Sequence, residues 1–367
     1  MNPQTKKHLF TALRVVVIAA GVGYILSIVD WADDPAAGTE GVFTLLRRAD
    51  GGWLLGGLAV IGLVFPLQAV RWYGLLRCRG LAVSLRSVFR LTMVGQFFNF
   101  CVPVGSTGGD VVRAYGAAKG VTTPGGPTAA VVSVLIDRVA GLLGLVVLAA
   151  AAGPLVWGDP TGRRVTLIAW ALLGSGVAGG AVYLWPVTRR WLGVERATRL
   201  AAVRRVDEAV TAYRRHGWTV AGAVALSVPV HLSICLATAF AGYAIGVDEP
   251  VVSLVAALPI VFLVGALPVS FMGLGIMEAA ARGVFGGGVL ENEVVLMLMA
   301  YRLYMLGYAL LGGVLMLGRG ARLRERDAGP GGEEPATVWA ATPTPGAEAG
   351  VPGAGAEVPG AGGDPVP

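Results

Sequence analysis

Residues Phe98–Arg113 read FNFCVPVGSTGGDVVR, an apolar run interrupted by a proline and several glycines. A related stretch, GALPVSFMGLGIMEAA, occupies Gly265–Ala280. In each stretch a charged residue follows the glycines by about one helical turn. Two halves that each break a hydrophobic segment and place charges beside the break are typical of transporter sites at membrane depth. The pattern therefore predicts a protein that moves a polar group through a membrane.

The correspondence between the two stretches extends to their charges. Pro103 precedes Arg113 by ten residues, and Pro268 precedes Glu278 by ten residues. Two arginines open long apolar runs 35 and 34 residues after these prolines, respectively: Arg138 and Arg302.

The composition indicates an all-α polytopic membrane protein. The chain is 55% hydrophobic and only 14% charged, whereas soluble domains are roughly 25% charged. Six apolar runs approach or exceed the roughly 20 residues that span a bilayer. These clear spans are Leu9–Val29, Trp53–Val70, Thr128–Ala152, Val165–Val187, Trp218–Val247 and Val294–Leu317. Two further apolar elements, Val88–Val104 and Val251–Phe285, are broken by glycine and proline.

The distribution of charge predicts the topology. Basic residues gather in four places: Lys6–Arg14, Arg71–Arg90, Arg189–Arg215 and Arg319–Arg326. The Asp30–Asp50 loop and the Asp248–Pro250 turn are acidic. Because basic loops stay in the cytoplasm, we expect a multi-pass protein of the cell membrane with both termini cytoplasmic.

This topology requires both broken elements to enter the membrane and return. We expect Val88–Pro127 to enter from the cytoplasmic face and Val251–Asn292 from the opposite face. Two similar elements with opposite orientation form an inverted-topology repeat. Each broken element is either a re-entrant hairpin or a pair of short helices. The membrane domain is expected to cover residues 1–319.

Two segments are expected outside the hydrocarbon core. The basic amphipathic stretch 189–217 is either a helix on the cytoplasmic leaflet or a solvated linker. The tail, 320–367, is rich in Pro, Gly and Ala, and such a composition predicts a disordered cytoplasmic segment. The chain carries no hydrolase, nucleotide-binding or metalloprotease motif. We therefore expect no enzyme activity, no cofactor, no bound metal and no nucleic-acid partner.

Both broken segments resemble signatures of the lysylphosphatidylglycerol synthase transmembrane-region family, also called flippase-like domain proteins. The first signature is carried by Gly95–Asn99, Pro103, Gly108–Asp110, Arg113 and Asp137–Arg138, and the second by Leu267–Ser270, Gly273–Gly275 and Glu278. This chain has Phe271 and Met272 where the family pattern has small residues. The best-known relatives fuse this module to an aminoacyl-lipid synthase, which this sequence lacks. The resemblance thus implies lipid translocation without aminoacyl transfer.

A lipid headgroup crossing hydrocarbon must exchange water for protein groups. The predicted substrate-binding residues are Asn99, Gly108, Gly109, Asp110, Arg113, Arg138, Glu278 and Arg302. Glycines expose backbone N–H groups to a phosphate, and arginines bind phosphate through charge-assisted bonds. The two carboxylates would repel phosphate, so we expect them to hold the arginines, to bind a cationic headgroup or to carry protons.

The same residues allow simpler interpretations. Asp110 with Arg113, and Glu278 with Arg282, have the spacing of local helix pairs, and Asn99 has the character of an interhelical contact. The sequence favours a translocase for a phosphate-bearing or aminoacylated lipid. The alternatives are a non-transporting membrane partner of a separate glycosyltransferase or lipid synthase, and a carrier for a soluble metabolite.

Overall fold

A computed structural model describes residues 22–33, 40–81, 83–101, 108–119, 125–158, 160–184, 204, 207, 211–267, 271–285, 289 and 291–327. The start of the first predicted span, the prolines Pro103 and Pro268, most of the 189–217 stretch and the tail from residue 328 lie outside these residues. The chain divides into two units, Met1–Gly320 and Ala321–Pro367. In the second unit, the described residues 321–327 are helical.

The described residues are predominantly α-helical, and none of them forms a β-strand. The helices are α1 Val42–Arg48, α2 Gly51–Gly62, α3 Val64–Arg77, α4 Leu85–Cys101, α5 Gly108–Ala118, α6 Gly126–Ala152, α7 Pro160–Leu184, α8 Gly217–Ala244, α9 Val251–Gly265, α10 Ile276–Phe285 and α11 Glu291–Asp327. The helix α11 therefore continues eight residues beyond the predicted membrane domain. The all-α prediction is confirmed.

Four helical stretches within the described residues are long and apolar enough to cross a membrane. They are Gly51–Arg77, Gly126–Val156, Ala212–Ala244 and Glu291–Leu317. Each contains one of the six predicted spans or nearly all of it. Of the other two, Val165–Val187 falls largely on α7, and the described part of Leu9–Val29 is helical over residues 22–28.

The helix α8 packs antiparallel to α2 and α3 at the centre of the protein. The backbone N–H of Asp50, just before α2, donates to the carbonyl of Ala244 at the end of α8 (2.8 Å). Near the other end of α3, Arg71 Nη1 donates to Ser227 Oγ in the first half of α8 (2.8 Å). This packing lets α3 and α8 bury polar side chains against each other.

The helices α6 and α11 run in opposite directions. Tyr304 lies against Gly57, and Tyr308, one turn later, lies against Gly62, so α11 is parallel to α2. It is therefore also parallel to α3, which continues α2 in one helical stretch, Gly51–Arg77. The helix α6 is antiparallel to α3, because Arg71 contacts Asp137, eleven residues into α6, while Leu76 shares an apolar cluster with residues near the start of α6. The helices that follow the two broken elements are therefore oppositely directed.

Each broken element is a hairpin of two helices. In the first hairpin, α4–α5, Gly95 packs against Gly109, and a Cβ on Gly109 would overlap the Gly95 carbonyl oxygen. Only glycine permits this close approach of two backbones. In the second hairpin, α9–α10, Gly265 packs against Met277 in the same antiparallel manner. This pairing of helices agrees with both predicted alternatives, so the choice between a re-entrant hairpin and a pair of short helices stays a prediction.

In the second hairpin, Phe271 and Met272 stand where the family pattern has small residues, and they form a short 3-10 turn before α10. Met272 adopts a left-handed conformation (φ 51°, ψ 30°). It is followed by Gly273 and Gly275, whose φ angles of 70° and 81° cost glycine little. The left-handed Met272 turns its carbonyl oxygen to within 3.4 Å of Arg302 Nε.

Candidate functional site

Five charged side chains from α3, α5 and α6 meet in one group, the first charge cluster: Arg71, Asp110, Arg113, Asp137 and Arg138. Asp137 lies at its buried centre and uses both carboxylate oxygens. Arg71 Nε donates to Oδ1 (2.7 Å), and Arg113 Nη2 donates to Oδ2 (2.8 Å). Because these bonds are buried, the loss of one partner is costly, since an unpaired charge in an apolar surrounding is not solvated.

Asp110 and Arg138 form the more accessible end of the first charge cluster. Arg138 Nε donates to Asp110 Oδ2. Arg113 Nη1 lies 3.6 Å from Asp110 Oδ1, so Asp110 is shared between its i+3 neighbour and a residue of the next helix. The predicted local pair is present, but it is one contact within a larger network.

Trp72 and Ser227 support the buried end of the cluster. The Arg113 guanidinium lies 4.1 Å from the centre of the Trp72 ring, a cation–π contact. Trp72 is itself held by a hydrogen bond from its Nε1 to Ser133 Oγ (3.0 Å). These contacts fix Arg113, yet its Nε–H is buried and donates to no acceptor among the described residues.

Asn99 and a glycine at the start of α5 join the two helices of the first hairpin. Asn99 Oδ1 accepts a hydrogen bond from the Gly109 backbone N–H (2.8 Å). Gly108 is the first residue of α5, which brings Asp110 into the first turn of the helix. Asn99 thus makes an interhelical contact, as predicted for a polar residue in an apolar run. Its predicted role as a ligand, and that of Gly108 and Gly109, stay predictions.

Glu278 and Arg302 form a second, separate pair between α10 and α11. Arg302 Nη1 lies 2.6 Å from Glu278 Oε1, and Nη2 lies 3.4 Å from Oε2. Oε2 also accepts the Gly275 backbone N–H (2.8 Å). The predicted local partner of Glu278, Arg282, instead pairs with Glu291, so the local-pair interpretation of Glu278 is wrong.

The two halves contain equivalent ion pairs of reversed polarity. In the first half the hairpin supplies Arg113 and the following helix supplies Asp137, and in the second half the hairpin supplies Glu278 and the following helix Arg302. Both pairs join residues 24 positions apart. Asp137 and Arg302 each lie eleven residues beyond the start of their helices. By position Arg302 therefore corresponds to Asp137, and not to Arg138 as the proline spacing suggested.

Two members of the cluster are not among the predicted substrate-binding residues. Arg71 belongs to a basic group that the charge distribution places in the cytoplasm, but it is buried and bonded to Asp137. Asp137 belongs to the first signature, where it adjoins Arg138, and the two residues engage different partners. The equal 24-residue separation in the two halves was a signal that could have identified Asp137.

The described residues also line an open cleft of about 600 Å³ near the open end of the second hairpin. Its walls come from residues 155–165, the start of α9 and the end of α10, with Glu249 as its one charged lining residue. No member of the first charge cluster lines this cleft. Within the described part of the chain, no group of three or more His, Cys, Asp or Glu side chains is arranged to hold a metal.

Comparison with known proteins agrees with this architecture. The model of the lysylphosphatidylglycerol synthase TM region matches residues 11–313, which include both hairpins and both ion pairs. A UPF0104 membrane protein of Pyrococcus horikoshii is 27% identical over 134 residues, which cover 36% of this chain and 38% of that protein. The aligned region is thus well under half of that relative's length. Since the family model covers most of the sequence, the chain belongs to the lysylphosphatidylglycerol synthase TM region family.

Proposed function

We propose that the chain is a lipid translocase that moves a phosphate-bearing or aminoacylated headgroup between the leaflets of the cell membrane. The main observation in support of this proposal is that charged side chains lie deep within apolar helices. Asp137 and Arg302 lie eleven residues along apolar helices, or about 16 Å at 1.5 Å per residue. That distance is close to half of a hydrocarbon core about 30 Å thick.

Ionised side chains at this depth are costly, so those that a protein retains usually have a function. Placing an ionised side chain at the centre of a spanning helix costs roughly 2.5–3.5 kcal/mol on insertion scales, and such groups usually line a substrate path. A group of five charges at the first hairpin exceeds what is needed to join three helices. The arrangement is suited to replacing water around a polar headgroup as it passes through the membrane.

The relation between the two halves supports alternating access. The helices α6 and α11 run in opposite directions, and each follows a hairpin and carries an ion pair at the same position. In transporters built from inverted repeats, substrate sites lie at interrupted helices near the midplane. We infer the same plan here, with both termini cytoplasmic as the basic segments predict.

The test is lipid translocation by the purified full-length protein in proteoliposomes. Lipids with a fluorescent acyl tail and different headgroups are exposed to a quencher that reaches only the outer leaflet. We expect the wild-type protein to accelerate quenching of the inner-leaflet lipid, and Arg138→Ala to slow this by about tenfold or more. Glu40→Gln, in an exposed ion pair with Arg48, is the matched control and should translocate normally. A folded wild-type protein that moves no lipid of any headgroup would refute the proposal.

A further inference from the structure

The open cleft beside the second hairpin is a second place where a ligand can bind. Its volume of about 600 Å³ lies within the range of small-molecule sites, roughly 300–1,000 Å³. Three almost fully buried residues, Val165, Ala256 and Ala257, contribute to its walls. The cleft therefore offers both the space and the apolar surface that the apolar part of a small ligand requires.

Glu249 is the one charged side chain among the described residues that line the cleft. The backbone that carries it is fixed, because the Tyr243 hydroxyl donates to the Glu249 carbonyl oxygen (3.0 Å) and the next residue, Pro250, is the N-cap of α9. Glu249 is partly buried, and its carboxylate has neither a hydrogen bond nor an ion pair with any described residue. A carboxylate held in this way beside an apolar wall is a preorganised acceptor for a cation.

Basic residues are absent from the described lining of the cleft. Arg163 and Arg164 are exposed near the start of α7, but neither of them lines the cleft. The residues that flank the described walls in sequence, 159 and 286–288, include no lysine or arginine. A phosphate group in the cleft would therefore lie near a carboxylate and be repelled by it. The charge of the lining favours a cationic ligand that carries no acidic group.

We propose that this cleft binds a lipophilic amine, with its ammonium group against the Glu249 carboxylate and its apolar body against the walls formed by α7 and α9. The ammonium group donates charge-assisted hydrogen bonds to the carboxylate. The hydroxyl groups of Thr161 and Ser253, which also line the cleft, supply further acceptors. The apolar body gains free energy as it leaves water for the apolar wall. This site is separate from both sets of buried ion pairs, and its ligand is not the phosphate-bearing substrate proposed above.

The test is the binding of three water-soluble probes to the purified full-length protein in phosphatidylcholine nanodiscs, measured by equilibrium dialysis against empty nanodiscs. The probes are 4-phenylbutylamine, 4-phenylbutanol and 4-phenylbutanoate, which have the same apolar body and differ in charge. We expect the amine to bind about fivefold more tightly than the alcohol, and the carboxylate to bind most weakly. Equal affinity of the protein for the amine and the alcohol would overturn the proposal.

Variants separate binding in the cleft from general attraction to an acidic surface. Glu249→Gln should lower the affinity for the amine to that for the alcohol, whereas Asp248→Asn should change neither affinity. Asp248 is the matched control, because it is the adjacent exposed carboxylate and does not line the cleft. Equal weakening by the two variants, with both proteins folded by size exclusion, would show that the surface charge alone attracts the amine.

A third variant tests the cleft itself. Ser253→Phe places a ring among the lining residues and leaves Glu249 in place, so the amine and the alcohol should both bind more weakly. Unchanged binding of the amine to this folded variant would place the amine outside the cleft and contradict the proposal.

An ammonium group also occurs on zwitterionic lipid headgroups, and dihexanoyl phosphatidylethanolamine distinguishes this source from a free amine. We expect this lipid to bind more weakly than 4-phenylbutylamine, because its phosphate would lie near Glu249 without a basic partner in the described lining. If the lipid binds as tightly as the amine and Glu249→Gln abolishes its binding, the cleft takes a lipid headgroup and the proposed phosphate-free ligand is wrong. None of these measurements involves lipid movement, so the amine site and the proposed translocase are tested separately.

Discussion

Replacing Arg302 with methionine removes the only guanidinium that neutralises the fully buried Glu278 in the described structure. Methionine has a similar length and fills much of the space beside Met277. The Glu278 carboxylate keeps one donor, the Gly275 N–H at 2.8 Å, and loses the arginine bonds at 2.6 and 3.4 Å. The variant therefore isolates the effect of an uncompensated buried charge from the effect of an empty space.

The expected cost follows from the burial of the pair. Breaking a buried ion pair by removing one partner costs about 3–5 kcal/mol, because the remaining charge is not solvated. We therefore expect Arg302→Met to lower the free energy of unfolding by about 3–5 kcal/mol.

The assay is equilibrium unfolding in mixed micelles, followed by tryptophan fluorescence. The double variant Glu278→Gln/Arg302→Met is the control, because glutamine is neutral and its side-chain oxygen can still accept the Gly275 N–H. A neutral replacement of a buried pair is often close to wild type in stability, so the double variant should be more stable than Arg302→Met. A double variant that is as unstable as Arg302→Met would refute the electrostatic explanation.

Two further predictions concern the first hairpin and its cluster. Gly109→Ala should prevent α4 and α5 from packing as they do, because its Cβ would overlap the Gly95 carbonyl oxygen, and we expect a lower thermal transition. Gly179→Ala lies inside α7 at a position with nothing within 4 Å, so it should not lower the transition, because alanine favours a helix more than glycine does. Equal transitions for the two variants would contradict the packing argument. Asp137→Asn should lower the free energy of unfolding by about 3–5 kcal/mol, because two buried guanidinium groups lose their shared carboxylate. Glu40→Gln, from an exposed pair, should cost at most about 1 kcal/mol in the same measurement, and similar losses for the two variants would show that the cluster is not a buried network.

The membrane class and the positions of the hairpins were predictable because they depend on local sequence. A run of about 20 apolar residues is long enough to span the bilayer whatever its neighbours are. Proline and glycine interrupt a helix through their own backbone properties. Four predicted spans and both broken elements therefore coincide with helices and hairpins in the structure.

The partners of the charged residues were not predictable in the same way. Glu278 has an arginine four residues away, at a spacing that favours a local pair, yet it bonds Arg302 across a helix interface. Arg71 and Asp137 are 66 residues apart and meet because α3 and α6 pack antiparallel. Which face of a helix meets which neighbour depends on the packing of all the helices, and a single segment does not contain that information.

The sequence by itself determined that this chain is an α-helical membrane protein with two interrupted segments and charges beside each interruption. These properties follow from hydropathy and from residue types at fixed spacing, which act within one or two helical turns. Only the tertiary structure decided that one set of charges is a network of side chains from three helices and the other a buried pair between two helices. Burial and ion pairing are properties of side chains from several helices together, and they exist only once those helices have packed.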